Sequence, residues 1–189
     1  MEIKEVIVLG ISLLEALKTI HEHGVFHRNI KPSNIITYEK AGVRRNTLID
    51  FGLAPALPAG SFVYNMSATT ACYYFSPEQA GLLNQGVDER SDLYSAGIVL
   101  FECLAGRPPF CGSSIGEILR QHLTVQPTIV RTLRSDIPRA LAEVIHRLLQ
   151  KDPRDRYQSA FALKRFINLK FKKLSKGVKK DKFCGLFIR

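Results

Sequence analysis

One pair of polar motifs constrains this chain more than any other feature: His27-Arg28-Asn29-Ile30-Lys31-Pro32-Ser33-Asn34, followed by Ile49-Asp50-Phe51-Gly52. Between them lie a short apolar strand (Ile35-Ile36), a turn around Gly42 and a second strand (Thr47-Leu48-Ile49). That pattern reads as a β-hairpin that brings Asn34 and Asp50 to one end. An amide oxygen and a carboxylate at one place suit a hard cation such as Mg²⁺, which takes few protein ligands and completes its shell with phosphate and water. Asp50-Phe51-Gly52 alone would be a turn with Gly at a positive-φ position. The two motifs in this order carry much more.

Together they resemble the catalytic loop and metal-binding turn of the serine/threonine protein kinase family, whose patterns read H-R-D-x-x-x-x-N and D-F-G. The wording around Lys31 and Ser76-Pro77-Glu78-Gln79 is similar to the bacterial eukaryotic-type class. The likeness covers about residues 3–168. Ser76-Pro77-Glu78 resembles the A-P-E element that closes the activation segment, and Asp92-Leu93-Tyr94-Ser95-Ala96-Gly97 the start of the central buried helix. Lys151-Asp152-Pro153-Arg154-Asp155-Arg156 resembles the segment whose Arg pairs with the Glu of A-P-E.

The resemblance implies roles residue by residue. His27 and Arg28 frame the catalytic loop, and Arg28 would receive a phosphate from the activation segment. Lys31 would serve catalysis and the nucleotide phosphates. Asn34 and Asp50 would hold Mg²⁺, with Ile36 as the apolar floor for ATP and Phe51-Gly52 completing the turn. Glu78 and Arg156 should form a partly buried ion pair, and Asp92 should hold the backbone near His27-Arg28. Two positions depart from the pattern. Asn29 stands where the family keeps the carboxylate that accepts the substrate hydroxyl's proton. Thr70-Ala71 replaces the usual Gly-Thr upstream of A-P-E, so the hydroxyl that ties the segment to the catalytic loop is missing.

The expected fold is mainly α: a kinase-like C-lobe, residues 1–168, with a small hairpin beside the catalytic loop and no N-lobe. Val6, Leu9, Leu13, Leu17 and Ile20 recur at helical spacing almost from Met1, and that helix should end near His23-Gly24. No G-x-G-x-x-G occurs anywhere, and no V-A-I-K lysine precedes the catalytic loop. Those parts position the nucleotide, so ATP should bind this chain weakly or not at all.

Ser91 to Ala105 is apolar nearly all round and belongs in the core. It should stop at Gly106, before Pro108-Pro109. A short helix through Ile115, Ile118, Leu119 and His122 follows, and Thr124 to Pro138 reads as loop. Leu141, Val144, Ile145, Leu148 and Leu149 mark another helix. Gln158-Ser159 caps a last one carrying Phe161, Leu163, Phe166 and Ile167 inward.

Charge is unevenly placed. Of the net +10, residues 164–189 supply +9, with ten Lys/Arg against Asp181 alone. Residues 169–189 read as a basic tail, disordered and solvated or else in contact with an anionic surface. It has no repeated aromatic–basic pattern, so no specific nucleic acid is expected. Cys72, Cys103, Cys111 and Cys184 form no C-x-x-C pair, and reduced thiols with Cys103 in a buried helix are expected. No apolar run spans a bilayer and no leader pattern opens the sequence, which points to the cytoplasm. Ser61, Ser67, Thr69 and Thr70 are candidate phosphorylation sites in what would otherwise be an unmodified polar loop. Three readings stay open: an active kinase lobe completed by a partner, a pseudokinase-type scaffold that docks a protein, and a truncated product without activity.

Overall fold

The computed structural model describes residues 1–40, 43–51, 70–81 and 86–171. The Gly42 turn, Gly52, Ser61, Ser67, Thr69, Cys184 and nearly all of the basic tail lie outside these residues.

α1 spans Ile3–His21, started by the Glu5 carboxylate, which accepts the Glu2 backbone N–H at 3.2 Å. The expected stripe of Val6, Leu9, Leu13, Leu17 and Ile20 is buried, and so are Ile7, Ile11 and Leu14. More than one face is covered because α1 packs against the second helix, the last helix and the hairpin. The chain then turns at Gly24 with φ +70°. A 3-10 turn, Pro32–Asn34, leads into β1 (Ile35–Lys40), which pairs antiparallel with β2 (Val43–Leu48), Ile35 opposite Leu48. Both strands run longer than the apolar residues alone indicate.

α2, Glu89–Ala105, is the centre of the molecule: Leu93, Tyr94 and Ile98 are wholly buried. It begins two residues before Ser91 because Asp88 caps it, accepting the Arg90 N–H at 2.8 Å. It ends at Gly106, whose φ of +78° supplies the left-handed cap. Cys103 is only half-buried on this helix.

α3, Ile115–Thr124, is capped by Ser114. The expected loop from Thr124 to Pro138 contains one helical turn, α4 (Val130–Leu133), because Val130 is buried and the Ile129 carbonyl accepts from both N–H and Oγ1 of Thr132. α5 is Arg139–Leu148. A second 3-10 turn, Pro153–Asp155, precedes α6 (Ala160–Lys170), capped by Ser159. Phe161 does not point inward: it is 56% exposed. The buried set of α6 is Ala160, Leu163 and Ile167, with Phe171 just beyond, and at 100° per residue Phe161 falls on the other side. Among the described residues no helix is long and apolar enough to cross a membrane.

α2 and α5 approach closely at Gly97, where an added Cβ would stand 2.8 Å from the Leu148 Cβ. At Gly116 in α3 an added Cβ meets none of the described residues within 4 Å. Alanine has the same intrinsic helix advantage at both positions. Gly116→Ala should therefore raise stability by up to about 1 kcal/mol, whereas Gly97→Ala should lower it by about 1–3 kcal/mol through overpacking, as read by urea denaturation.

His122 of α3 is fully buried, with Nδ1 2.9 Å from the Tyr94 hydroxyl, which donates to it. Burial first, then the charge of Lys151, push its pKa down to about 3, against the pull of the Tyr73 and Cys72 carbonyls. The folded pKa lies below the unfolded 6.5, so the unfolded chain binds the extra proton between those values. Stability present above pH 6.5 should drain away as pH falls towards about 3. Melting curves of His122→Gln should show a shallower loss across that window.

Candidate active site

The site is organised around one carboxylate. Asp92, in the first turn of α2, is wholly buried. Its Oδ2 accepts the His27 backbone N–H and its Oδ1 the Arg28 N–H, each at 2.8 Å. His21, at the end of α1, donates Nε2–H to Oδ2 at 2.8 Å, and its Nδ1 stands 3.7 Å from Glu89. Three elements thus meet on one side chain.

His27 is also fully buried and joins the two motifs. Asn29 N–H points to its Nδ1 at 3.3 Å, which leaves Nε2 as the donor to the Ile49 carbonyl at 3.0 Å. Burial lowers the His27 pKa, outweighing the opposite pull of Asp92, so the neutral ring that this hydrogen-bond pattern requires is favoured. Phe51 packs on the ring, centroids 4.7 Å apart. Arg28 and Asp50 both adopt left-handed backbone, φ 60° and 59°. Such conformations cost a non-glycine residue and persist where surrounding contacts fix them. For Arg28 those contacts are Asp92 on its N–H and Gln79, whose Nε2 donates to the Arg28 carbonyl at 2.9 Å. Among the described residues the buried Arg28 Nε has no hydrogen-bond partner.

Asn34 is buried, and its Nδ2 donates to the Asn29 carbonyl at 2.8 Å, which directs its amide nitrogen away from ligand duty. The Asn34 carbonyl accepts Ile49 N–H at 2.9 Å, bringing the start of β1 beside the residue before Asp50. Asp50 is exposed. An amide oxygen and an exposed carboxylate fit Mg²⁺ by donor chemistry. Among the described residues no group of three or more His, Cys, Asp or Glu forms a denser metal cluster. Lys31 is half-buried at the entrance to the 3-10 turn, its carbonyl accepting Asn34 N–H at 3.0 Å. Ile36 is 47% exposed on the hairpin. Asn29 is half-buried and presents an amide.

The second anchor is the Glu78–Arg156 pair, which is fully buried rather than partly so. Its oxygen–nitrogen contacts are 2.6 and 2.9 Å, bidentate, and Ser91 Oγ donates to Glu78 at 2.7 Å. The remaining Arg156 donors reach the carbonyls of Gln150, Arg90 and Lys151, so all five are used. The guanidinium lies over Tyr94, 4.7 Å from the ring centre. Burial alone would raise the Glu78 pKa, but the hydrogen bonds and charge of Arg156, with Ser91, hold it below the usual range.

Sequence reasoning missed Gln79, Ser91 and the bond of His21 to Asp92. Gln79 had a signal, since Ser76-x-x-Gln79 is a capping-box pattern. The structure forms it: Gln79 Oε1 accepts from Ser76 N–H and Oγ, both at 3.2 Å. Ala71 carries no hydroxyl, and Gln79 makes a direct hydrogen bond from the 70–81 segment to the 27–34 loop. His21 and Ser91 had none, because each is read only through a partner distant in sequence.

The family model described as the protein kinase domain matches residues 1–166. A probable serine/threonine-protein kinase of Clostridium perfringens is 36% identical over 82% of this chain and 22% of its own length. The serine/threonine-protein kinase PknB of Mycolicibacterium smegmatis is 39% identical over 77% and 23%. PrkC of Bacillus subtilis is 33% identical over 83% and 24%. The chain spans less than a quarter of each of these relatives.

Removing one partner of a buried pair leaves the other charge uncompensated. Arg156→Ala should cost about 3–5 kcal/mol of stability. Arg154→Ala, which breaks the exposed pair with Asp152, should leave the urea midpoint nearly unchanged.

Proposed function

The chain belongs to the protein kinase domain family, of the bacterial serine/threonine type, and from that premise we propose that its 189 residues form a C-lobe whose phosphoryl-transfer chemistry is impaired. The observation that carries this reading is an intact frame around an altered centre. Asp92, His27 and Asn34 hold the loop by hydrogen bonds of 2.8–3.0 Å, yet the side chain at the centre is the Asn29 amide. That amide can orient a substrate hydroxyl through its oxygen. It cannot take the hydroxyl's proton.

ATP and Mg²⁺ are the cofactors of the family. Asn34 and Asp50 would hold the metal, Lys31 would face the phosphates, and Ile36 would underlie the base. The metal, when bound, supplies charge neutralisation at the phosphates. This chain by itself offers no glycine-rich loop to clamp them, so binding of the nucleotide should be weak. The Arg28 Nε, buried and without a partner among the described residues, supports a role for that residue as receiver of a phosphate from the activation segment. The preserved frame also supports a protein-docking role of pseudokinase type over a remnant without function. A protein, as substrate or docking partner, is the expected ligand.

A positioned general base contributes about 10²–10⁴-fold, roughly 3–5 kcal/mol at ~1.4 kcal/mol per decade. The 189-residue chain should give no measurable transfer of labelled phosphate to a generic basic protein. Asn29→Asp alone should not rescue it, because the phosphates stay unclamped. Robust transfer by the unmodified chain, abolished by Asp50→Ala, would overturn the impaired reading.

A further inference from the structure

Lys151 follows α5 and sits where three parts of the chain meet. Its Nζ stands 4.1 Å from the centre of the Phe110 ring, which is fully buried and closes one side against water. It donates to the Gln121 carbonyl, in the last turn of α3, at 3.2 Å. The Lys151 backbone carbonyl accepts from Arg156 Nη2 at 2.9 Å, so that guanidinium is a close neighbour. His122, fully buried beside Gln121, is a second basic group within reach of the Lys151 charge. Among the described residues Lys151 has no carboxylate partner: Asp152 is engaged by Arg154 and Glu78 by Arg156. The residue is half-buried rather than enclosed.

A lysine becomes a nucleophile at neutral pH when apolar surroundings strip its water or another cation stands beside it, because each disfavours the ammonium form. Lys151 meets both conditions. Burial first, then the charge of Arg156, pushes its pKa down to about 7. We propose that Lys151 Nζ is an acylation site for a small acyl phosphate. The amine lone pair forms a bond to the acyl carbon, and the bond from that carbon to the phosphate oxygen breaks. The phosphate leaves with the electron pair and takes up the proton that the amine gives. The product amide keeps one N–H, enough to go on donating to the Gln121 carbonyl. An aldehyde would instead leave a neutral imine nitrogen with no N–H for that carbonyl. Acylation removes the charge over Phe110 and beside Arg156. The proposal does not rest on the Asn29 chemistry, so it stands or falls separately from the kinase reading.

The test treats the folded full chain with acetyl phosphate over a series of pH values and reads each lysine by digestion and mass spectrometry. Lys4, exposed on α1, is the internal reference. An ordinary lysine titrates near 10.4, so at about pH 7.5 Lys151 should be acetylated roughly tenfold faster than Lys4, or more. The Lys151 rate should level off above about pH 8, where its amine is already neutral, while that of Lys4 climbs to about pH 10. Unfolding in urea should erase the difference, since the fold and not the local sequence creates it. Three results would each overturn the proposal. One is equal labelling of Lys151 and Lys4 in the folded chain. Another is an excess at Lys151 that survives urea. The third is a Lys151 rate that rises with pH in parallel with that of Lys4.

Discussion

Everything near the candidate site hangs from the buried carboxylate of Asp92. It sits in the first turn of the most buried helix, where the partial positive end of the helix favours an anion. Burying it bare would cost several kcal/mol. Two backbone N–H groups of the 27–34 loop and the His21 ring offset that cost by hydrogen bonding. The dependence runs both ways. The loop residues Arg28 and, through His27 and Ile49, Asp50 hold unfavourable backbone conformations that this carboxylate helps to fix, with Gln79 on the Arg28 carbonyl as a second support. A helix buried on all sides therefore serves as the rigid mount for a strained loop on its edge.

That arrangement separates holding from chemistry. The hydrogen bonds that shape the loop use backbone groups of residues 27–29, not the side chain at 29. An amide can replace a carboxylate there without releasing any of them. The geometry of the loop and the identity of its central side chain can thus vary independently, and this is why an ordered frame is no measure of turnover.

Much of this was legible in the chain because the signals are local. The α1 stripe, the apolar α2 with its glycine stop, the Ser159 cap and the two polar motifs each show within a few residues. What was lost depended on partners far away in sequence. Phe161 was placed inward because Phe161, Leu163, Phe166 and Ile167 are all apolar, yet four such residues cannot share one helical face, and the packing of α6 on α1 chose Leu163 and Ile167. The Glu78–Arg156 pair was readable from its motif, but its complete burial was not, since that follows from the carbonyls of Gln150 and Lys151 and, far away in sequence, Arg90 closing around the guanidinium. Gln79 was overlooked although its capping pattern was in plain sight. The turn at Val130–Leu133 was hidden by prolines on both sides.

The full use of the Arg156 donors has a kinetic consequence. One guanidinium connects the 70–81 segment through Glu78, the start of α2 through the Arg90 carbonyl, and the 150–156 loop through two more carbonyls. No single contact can loosen without leaving a buried donor or acceptor unmatched, which is expensive. These three segments should therefore lack independent opening motions and behave as one cooperative block in native-state amide exchange. Their protected protons would be released together, on the timescale of disruption of the whole block, while the exposed hairpin beside them exchanges on its own.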